Sequence, residues 1–348
     1  MGDHGKIGAM ANRSLGACGG QIRSLGCSLM LAVAGWLGSG VCVDAASTRT
    51  QVVALQPGWN AMYLEVQPAA SAPTNVFTNP NVQTVAWFRK GGLDAKYIRN
   101  PGDAPWRSEG WSVWYAPGQS DAVLTDLHDI RAGQSYLIRA SAATTLNITG
   151  EARLTQLEWQ PNNCTLTGLP VSDTQGPTFQ QFFAGSPAHA RHRIYRLESG
   201  VWKIVRDPAT ARAKAGEAYW IQTDGASRYQ GPIRLNLPGS GEIDFSRTGD
   251  SFPLQIVNAA PTPRSNVTIT LSGGNGPLGL VEAVQDPGAL TYRRVNFTGG
   301  VVATSLPAER VLRLEPDRVA MTVPTNTTLL KLTDGNGFLQ WIPVRAIK

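Results

Sequence analysis

Beyond residue 50 the chain is a succession of short apolar runs, most alternating with polar residues and separated by Gly, Pro, Asn, Asp and Ser. A period of two places alternate side chains on opposite faces of a strand, so the pattern predicts β-strands rather than helices. The first runs are Gly58-Trp59-Asn60-Ala61-Met62-Tyr63-Leu64-Glu65-Val66, Thr84-Val85-Ala86-Trp87-Phe88, a strand led in by Gly133, and Thr145-Leu146-Asn147-Ile148-Thr149. A second series follows: Asn162-Asn163-Cys164-Thr165-Leu166-Thr167-Gly168-Leu169, Arg193-Ile194-Tyr195-Arg196-Leu197, a strand led in by Gly216, and Ser227-Arg228-Tyr229-Gln230. Each series has one short helical turn, opened by Pro73-Thr74 before Val76-Phe77 and by Pro177-Thr178 before Phe179, Phe182 and Phe183. Proline marks these starts because its fixed φ and missing N–H suit the first helical position. From Leu237 the runs are Ile243-Asp244-Phe245, Phe252–Val257, Val267–Leu271, Leu290–Phe297, Val311–Leu314, Leu329–Leu332 and Leu339–Val344. Asp334-Gly335-Asn336-Gly337 between the last two is a hairpin turn signal.

The first two series match each other. Ala132-Gly133-Gln134-Ser135-Tyr136-Leu137-Ile138 lines up with Ala215-Gly216-Glu217-Ala218-Tyr219-Trp220-Ile221, each after a basic residue and a short polar link. The glycine suits a turn with positive φ before the strand. The connection Glu151–Pro161 carries Leu154, Leu157 and Trp159, which reads as packed chain and not as a linker. Tandem Gly-Trp-Asn…Gly-x-x-Tyr-Trp units of this kind resemble an uncharacterised family of exported bacterial β-repeat modules. The resemblance spans roughly residues 50–235, and the second series departs from it, with Asn162-Asn163 where Gly-Trp-Asn is expected. It implies a surface-protein setting beside immunoglobulin-like or laminin-G-like domains, and it implies no catalytic residue. The expected fold is therefore all-β, mainly β with one short helix per repeat. Two tandem β-repeats cover 46–150 and 151–236, and an immunoglobulin-like β-sandwich without the Cys–Trp–Cys signature covers 237–348.

The N-terminus adds an address. Residues 1–26 are polar with Lys6, Arg13 and Arg23; an apolar run follows from Ser28 to Val43, and Val43-Asp44-Ala45 forms a small-residue cleavage pattern. This is the three-part layout of a signal peptide over residues 1–45. Its apolar run falls short of the roughly 20 residues of a membrane span, and no later segment supplies one for the mature chain. Leu15-Gly16-Ala17-Cys18 imitates a lipobox but precedes the hydrophobic region instead of ending it. The expected location is exported: extracellular, cell surface or periplasmic. Cys18, Cys27 and Cys42 lie in the segment to be removed, which leaves Cys164 alone and unable to form an intramolecular disulfide. The net charge of +6 is scattered, with only Arg191, Arg193 and Arg196 close together. A nucleic-acid partner would call for a basic stripe or arm.

The candidate chemistry is thin. Gly249-Asp250-Ser251 imitates a lipase nucleophile block, but the last histidine is His192, far upstream of where a base belongs. Gly274-Asn275-Gly276-Pro277-Leu278-Gly279 spells a dinucleotide fingerprint without the long helix that would hold a pyrophosphate, since Asp286-Pro287-Gly288 ends any helix early. His189 and His192 lack a third metal ligand, and His128 lies between Asp126 and Asp129 in a polar turn. No catalytic residue, metal or cofactor is expected. The most suggestive feature is an aromatic insertion in the first repeat, Asn100 to Asp121, with Trp106, Trp111, Trp114 and Tyr115. As a ligand site it would stack sugar rings on exposed indoles. As structure, Trp111, Val113 and Tyr115 would be the buried face of one more strand, with Trp106 and Trp114 outside. The expected function is a non-catalytic exported structural or adhesive module of the cell surface or periplasm. The alternative is a carbohydrate-binding module using residues 100–121. The expected partners are surface polysaccharide or other cell-surface proteins, not nucleic acid.

Overall fold

The computed structural model describes residues 47–103, 110–237, 241–274, 279–285, 292–297, 300–306 and 308–348. The expected signal peptide, Trp106 and the middle of the glycine-rich segment 274–279 lie outside them. The protein is all-β, with two short α-helices among the described residues.

The first unit has two sheets. Strands β1 (Thr48–Leu55), β7 (Thr144–Ala152) and β3 (Val66–Pro68) form one, in the order β1-β7-β3. Strands β2 (Gly58–Leu64), β6 (Gln134–Ala140), β4 (Val82–Phe88) and β5 (Trp111–Tyr115) form the other, in the order β2-β6-β4-β5. Leu55, Met62, Leu64, Val85, Tyr136, Ile138, Leu146 and Ile148 fill the core between them, closed by Phe77 just after helix α1 (Pro73–Val76). Pro73 stands at the start of α1, where no N–H is needed.

The second unit has a single sheet, of strands β8 (Cys164–Thr167), β11 (Tyr219–Gln222), β9 (Ile194–Glu198) and β10 (Val201–Ile204). Its order, β8-β11-β9-β10, repeats that of β2-β6-β4-β5 element for element. Tyr136 pairs with Met62 on one side and Trp87 on the other; Tyr219 pairs with Thr167 and Arg196 at the same places. Gly133 and Gly216 both have positive φ, 75° and 69°. The Tyr136 hydroxyl accepts the Arg131 amide at 2.8 Å and the Tyr219 hydroxyl accepts the Lys214 amide at 2.9 Å, five residues back in each case. Helix α2 (Phe179–Phe183) starts with a capping box between Thr178 and Gln181, and buries Phe179, Phe182 and Phe183.

The third part is a sandwich of two five-stranded sheets. One runs β12 (Ile233–Asn236), β14 (Phe252–Asn258), β19 (Glu309–Asp317), β16 (Gly279–Gln285), β17 (Tyr292–Asn296). The other runs β13 (Ile243–Asp244), β21 (Leu339–Ile347), β20 (Thr325–Thr333), β15 (Arg264–Gly274), β18 (Val301–Leu306). The Asp334–Gly337 turn joins β20 to β21 as a hairpin, its Asp334 carboxylate accepting the amides of Asn336 and Phe338.

Two details differ from expectation. Ser227–Gln230 joins no ladder: its backbone and side chains go to other partners, with Tyr229 O accepting from Trp159 Nε1 and the Gln230 side-chain amide pairing both ways with the Leu157 backbone. Strand β12, placed by sequence in the second repeat, hydrogen-bonds to β14 of the sandwich. The second unit lacks a covering sheet like β1-β7-β3, and its inner face packs on the sandwich instead. Phe179, Phe182, Ile194, Tyr219 and Ile221 share one continuous core with Leu254, Leu312, Leu330, Phe338 and Ile342. No helix among the described residues is long and apolar enough to cross a membrane.

Candidate functional site

The aromatic insertion folds against the protein. Strand β5 is the edge of its sheet, so its side chains alternate between two faces, and both faces are covered. Trp114, expected outside, is 5% exposed, in the first unit's core beside Phe77 at 6.0 Å between ring centroids. Trp111 and Tyr115 lie on the other face with Val113 and are half-buried against Leu197 and Trp202 of the second unit. The Trp111 ring also meets Phe88 at 5.1 Å. Alternation from Trp111 assigned the faces correctly, but protein packs on both of them, and the face expected outside is the more deeply buried. The free edge of β5 is closed by side-chain acceptors: Asp126 Oδ1 takes the Val113 amide and Thr125 Oγ1 the Tyr115 amide. Upstream, Leu93, Ala95 and Ile98 lie over Cys164, Leu166, Tyr195 and Trp220, and Leu93 forms a two-way backbone bridge to Cys164. Asn100 Oδ1 accepts the Trp202 amide on the edge strand β10. Leu93, Ala95 and Ile98 ahead of the insertion, together with Asn100, Trp111 and Tyr115 within it, therefore cover the outer face of the second unit's sheet, while Trp114 of the insertion belongs to the first unit's core.

The reactive side chains have structural duties. Cys164 is fully buried, and burial pushes its thiol up to about 11. His189 is 2% exposed, hydrogen-bonds to Ser186 Oγ at 2.6 Å through Nδ1, faces Thr223 Oγ1 at 3.3 Å through Nε2, and stacks on Phe183. Burial and the nearby His192 pull its pKa down to about 4, so the imidazole is neutral. The backbone carbonyl of Gly249, before Asp250-Ser251, is held by Arg318, which also binds the carbonyls of Phe245 and Ser246. The segment Leu280–Gln285, the only place for a helix after the glycine-rich run, lies in strand β16. Among the described residues no group of three or more His, Cys, Asp or Glu could hold a metal ion.

The connection Glu151–Pro161 has a different outcome. Thr155, Leu157 and Trp159 point inward, while Arg153, Gln156 and Glu158 point to solvent. Its outer side forms one wall of a cleft of about 420 Å³ between the two units. Thr165, Leu166 and Thr167 of β8 and Phe88 and Ser135 of the first sheet line it, with Gln67, Trp87, Lys90, Gln134 and Gln160 around them. The Trp87 indole is held in place by its Nε1–H donating to Gln134 Oε1 at 2.9 Å. The Gly91 and Gly92 positions let Gln160 lie close, since a Cβ at Gly91 would sit 2.8 Å from Gln160 Nε2. The signal in the sequence was the polar face opposite Leu157 and Trp159. A second cleft, of about 470 Å³, opens on the other side of the connection and is lined by Leu157, Trp159, Ile233, Leu235 and Leu237, with Arg228 and Arg234.

No protein-family model matches the chain, and no curated protein matches it. Among solved structures, the crystal structure of a FixG-related protein from Vibrio parahaemolyticus aligns at 16% identity over 33% of this chain and 92% of that chain. Its TM-score of 0.17 is too low to carry an argument.

Proposed function

We propose that the chain is an exported, non-catalytic structural or adhesive module of the cell surface or periplasm, built from two β-repeats and an immunoglobulin-like sandwich. The observation that supports this reading is where the chemistry lies. Cys164, Ser186 and His189 are locked inside cores, whereas the open cleft between the units is lined mainly by amides and hydroxyls, with Lys90, Arg153 and Glu158 as its charged groups. A neutral, doubly hydrogen-bonded imidazole in an apolar cage is a poor general base, because catalysis favours a pKa near the working pH.

Two measurements test the proposal. N-terminal sequencing of exported protein should begin near Ala46 or Ser47; an intact N-terminus in the membrane fraction overturns export. Purified protein should bind the surface of the cells that produce it, and Ser186→Ala and Cys164→Ala should bind equally well. Absence of binding by the unaltered protein, or turnover of a substrate that a stably folded Ser186→Ala abolishes, overturns the module.

A further inference from the structure

We infer that the cleft between the two units is a binding site for a short neutral saccharide. This rests on the adhesive reading and moves the sugar-binding role from the aromatic insertion to a different surface. Four glutamines (Gln67, Gln134, Gln156 and Gln160) and the hydroxyls of Ser135, Thr165 and Thr167 line one concavity. Each primary amide offers both donors and an acceptor, and each hydroxyl offers one of each. That is the complement of vicinal diols, which present donor and acceptor on neighbouring carbons. Much of this capacity is already spent within the protein: Gln67 Oε1 accepts the Ala132 amide while its Nε2 donates to the Pro68 and Ile130 carbonyls, Gln134 Oε1 accepts from Trp87, Thr165 Oγ1 accepts the Gln160 backbone N–H, and Thr167 Oγ1 donates to Gly168 O. Gln156, exposed at the wall, reaches into the cleft from the connection.

Two further features point to a ligand. The Ser135 side chain is 4% exposed and its Oγ has no hydrogen-bond partner, although it lies on the cleft lining. A buried hydroxyl left unpaired is costly, and an arriving ligand hydroxyl recovers that cost. Its register partner Tyr63 is equally buried, with Thr155 as the neighbour of its hydroxyl in a geometry short of a regular hydrogen bond. Trp87 supplies the apolar element. Its indole is fixed by Gln134, so a sugar's C–H face can pack on it without first freezing a rotamer.

The charges select against other ligands. Lys90 and Arg153 share the lining with the Glu158 carboxylate, and Arg153 is paired with Glu151, so the cleft is too balanced in charge for a polyanion. A peptide would need pockets for alternate apolar side chains, and here the apolar groups are Trp87, Phe88, Leu154 and Leu166 among predominantly polar neighbours. The volume falls in the ordinary range for small-ligand sites.

The test is calorimetric titration of the purified protein with maltotetraose, cellotetraose, chitotetraose and tetragalacturonate, beside attachment to producing cells. At least one neutral tetrasaccharide should bind with a Kd below about 10 mM. The double variant Gln156→Ala/Gln160→Ala should weaken it by about tenfold or more, and because Gln160 also packs against Gly91 and Gly92, thermal melts check that the variant is folded at the assay temperature. Trp106→Ala should leave it unaltered. Three results overturn the inference: no binding by any neutral tetrasaccharide, binding of tetragalacturonate alone, or binding that Trp106→Ala removes and the cleft variant does not. Cell attachment that persists in the absence of saccharide binding refutes the cleft assignment alone, whereas failure of the unaltered protein to attach refutes the adhesive reading itself.

Discussion

Gly168→Ala tests how the two units are locked. A methyl group built at Gly168 would lie 2.3 Å from Tyr63 Cγ, 2.4 Å from its Cβ and 2.6 Å from its Cδ1. Tyr63 is 1% exposed, and because its Cβ is among the colliding atoms no rotamer change clears the space. The two backbones must separate. Adjoining contacts resist that: Tyr63 N donates to Gly216 O at 2.8 Å and Ala218 N to Ala61 O at 3.1 Å. Overpacking a tight core costs about 1–3 kcal/mol, and a collision with a Cβ belongs at the upper end. For a chain of this size that is a loss of roughly 3–5 °C in melting temperature. Gly102→Ala is the control, since nothing lies within 4 Å of its added methyl. Thermal melts followed by tryptophan fluorescence should show a large drop for the first variant and almost none for the second. A Gly168→Ala protein melting within about 1 °C of the unaltered chain refutes the packing of Tyr63 on Gly168, and with it the rigid junction beside the cleft.

Removing the matched tyrosine hydroxyls should give unequal costs. Tyr136→Phe loses hydrogen bonds to the Arg131 backbone, about 1 kcal/mol, whereas Tyr219→Phe also strips a 2.8 Å bond from the Glu217 carboxylate and should cost about 2–3 kcal/mol in urea unfolding; equal costs count against the assigned network. His189 is held at about 4 against an ordinary 6.5, so the folded form favours the neutral ring. Its contribution is intact above pH 6.5 and is lost as pH falls towards 4, about 3 kcal/mol in all, and the melting temperature of His189→Gln should fall less steeply across that window. Cys164, buried and with its thiol raised to about 11, should resist maleimide in the native protein and react in about 6 M urea, and rapid native labelling refutes its place under Leu93.

Much of this architecture could be read in the alternation of side chains. Thr84–Phe88 and Leu339–Val344 fall within β4 and β21; Pro73 is the first residue of α1, whereas at α2 Thr178 is the N-cap and Pro177 lies just outside the helix. Alternation was weakest where both faces of a strand are covered. In β5 it separated Trp111 and Tyr115 from Trp114 correctly, yet which side meets water depends on what packs there, and that is set by residues about 80 positions away at Leu197 and Trp202. Strands β1, β10, β12, β16 and β18 went unread for related reasons. The β10 run, Val201-Trp202-Lys203-Ile204, is an edge strand with mostly exposed side chains, so burial leaves little pattern on it. The glycines ahead of β16 read as a turn between strands, but no local signal marks the strand after them or announces that β19 lies beside it. The cleft was half legible. Leu157 and Trp159 announced a packed connection, and only the sheet they pack near turns the opposite residues into a wall.

The least legible feature is how the two units differ at matching places. With Tyr136 and Tyr219 superposed in register, Met62 corresponds to Thr167, and therefore Tyr63 to Gly168. These two residues are in contact, the ring of one filling the space that the other leaves empty. Two tyrosines would collide there and two glycines would leave a void, so a close junction at this point requires the units to be unlike. The same complementarity recurs at larger scale. The first unit brings its own second sheet and the residues that roof the outer face of its neighbour, while the second unit brings neither and rests its inner face on the sandwich. The Tyr63–Gly168 difference and the residues over the second unit's outer face thus correspond to contacts that join the units, while the bare inner face of the second unit joins it to the sandwich. A cleft walled by β8 on one side and by β4 and β6 on the other holds its shape only because those contacts fix the sheets to each other, and for that reason Gly168→Ala should loosen saccharide binding as well as stability.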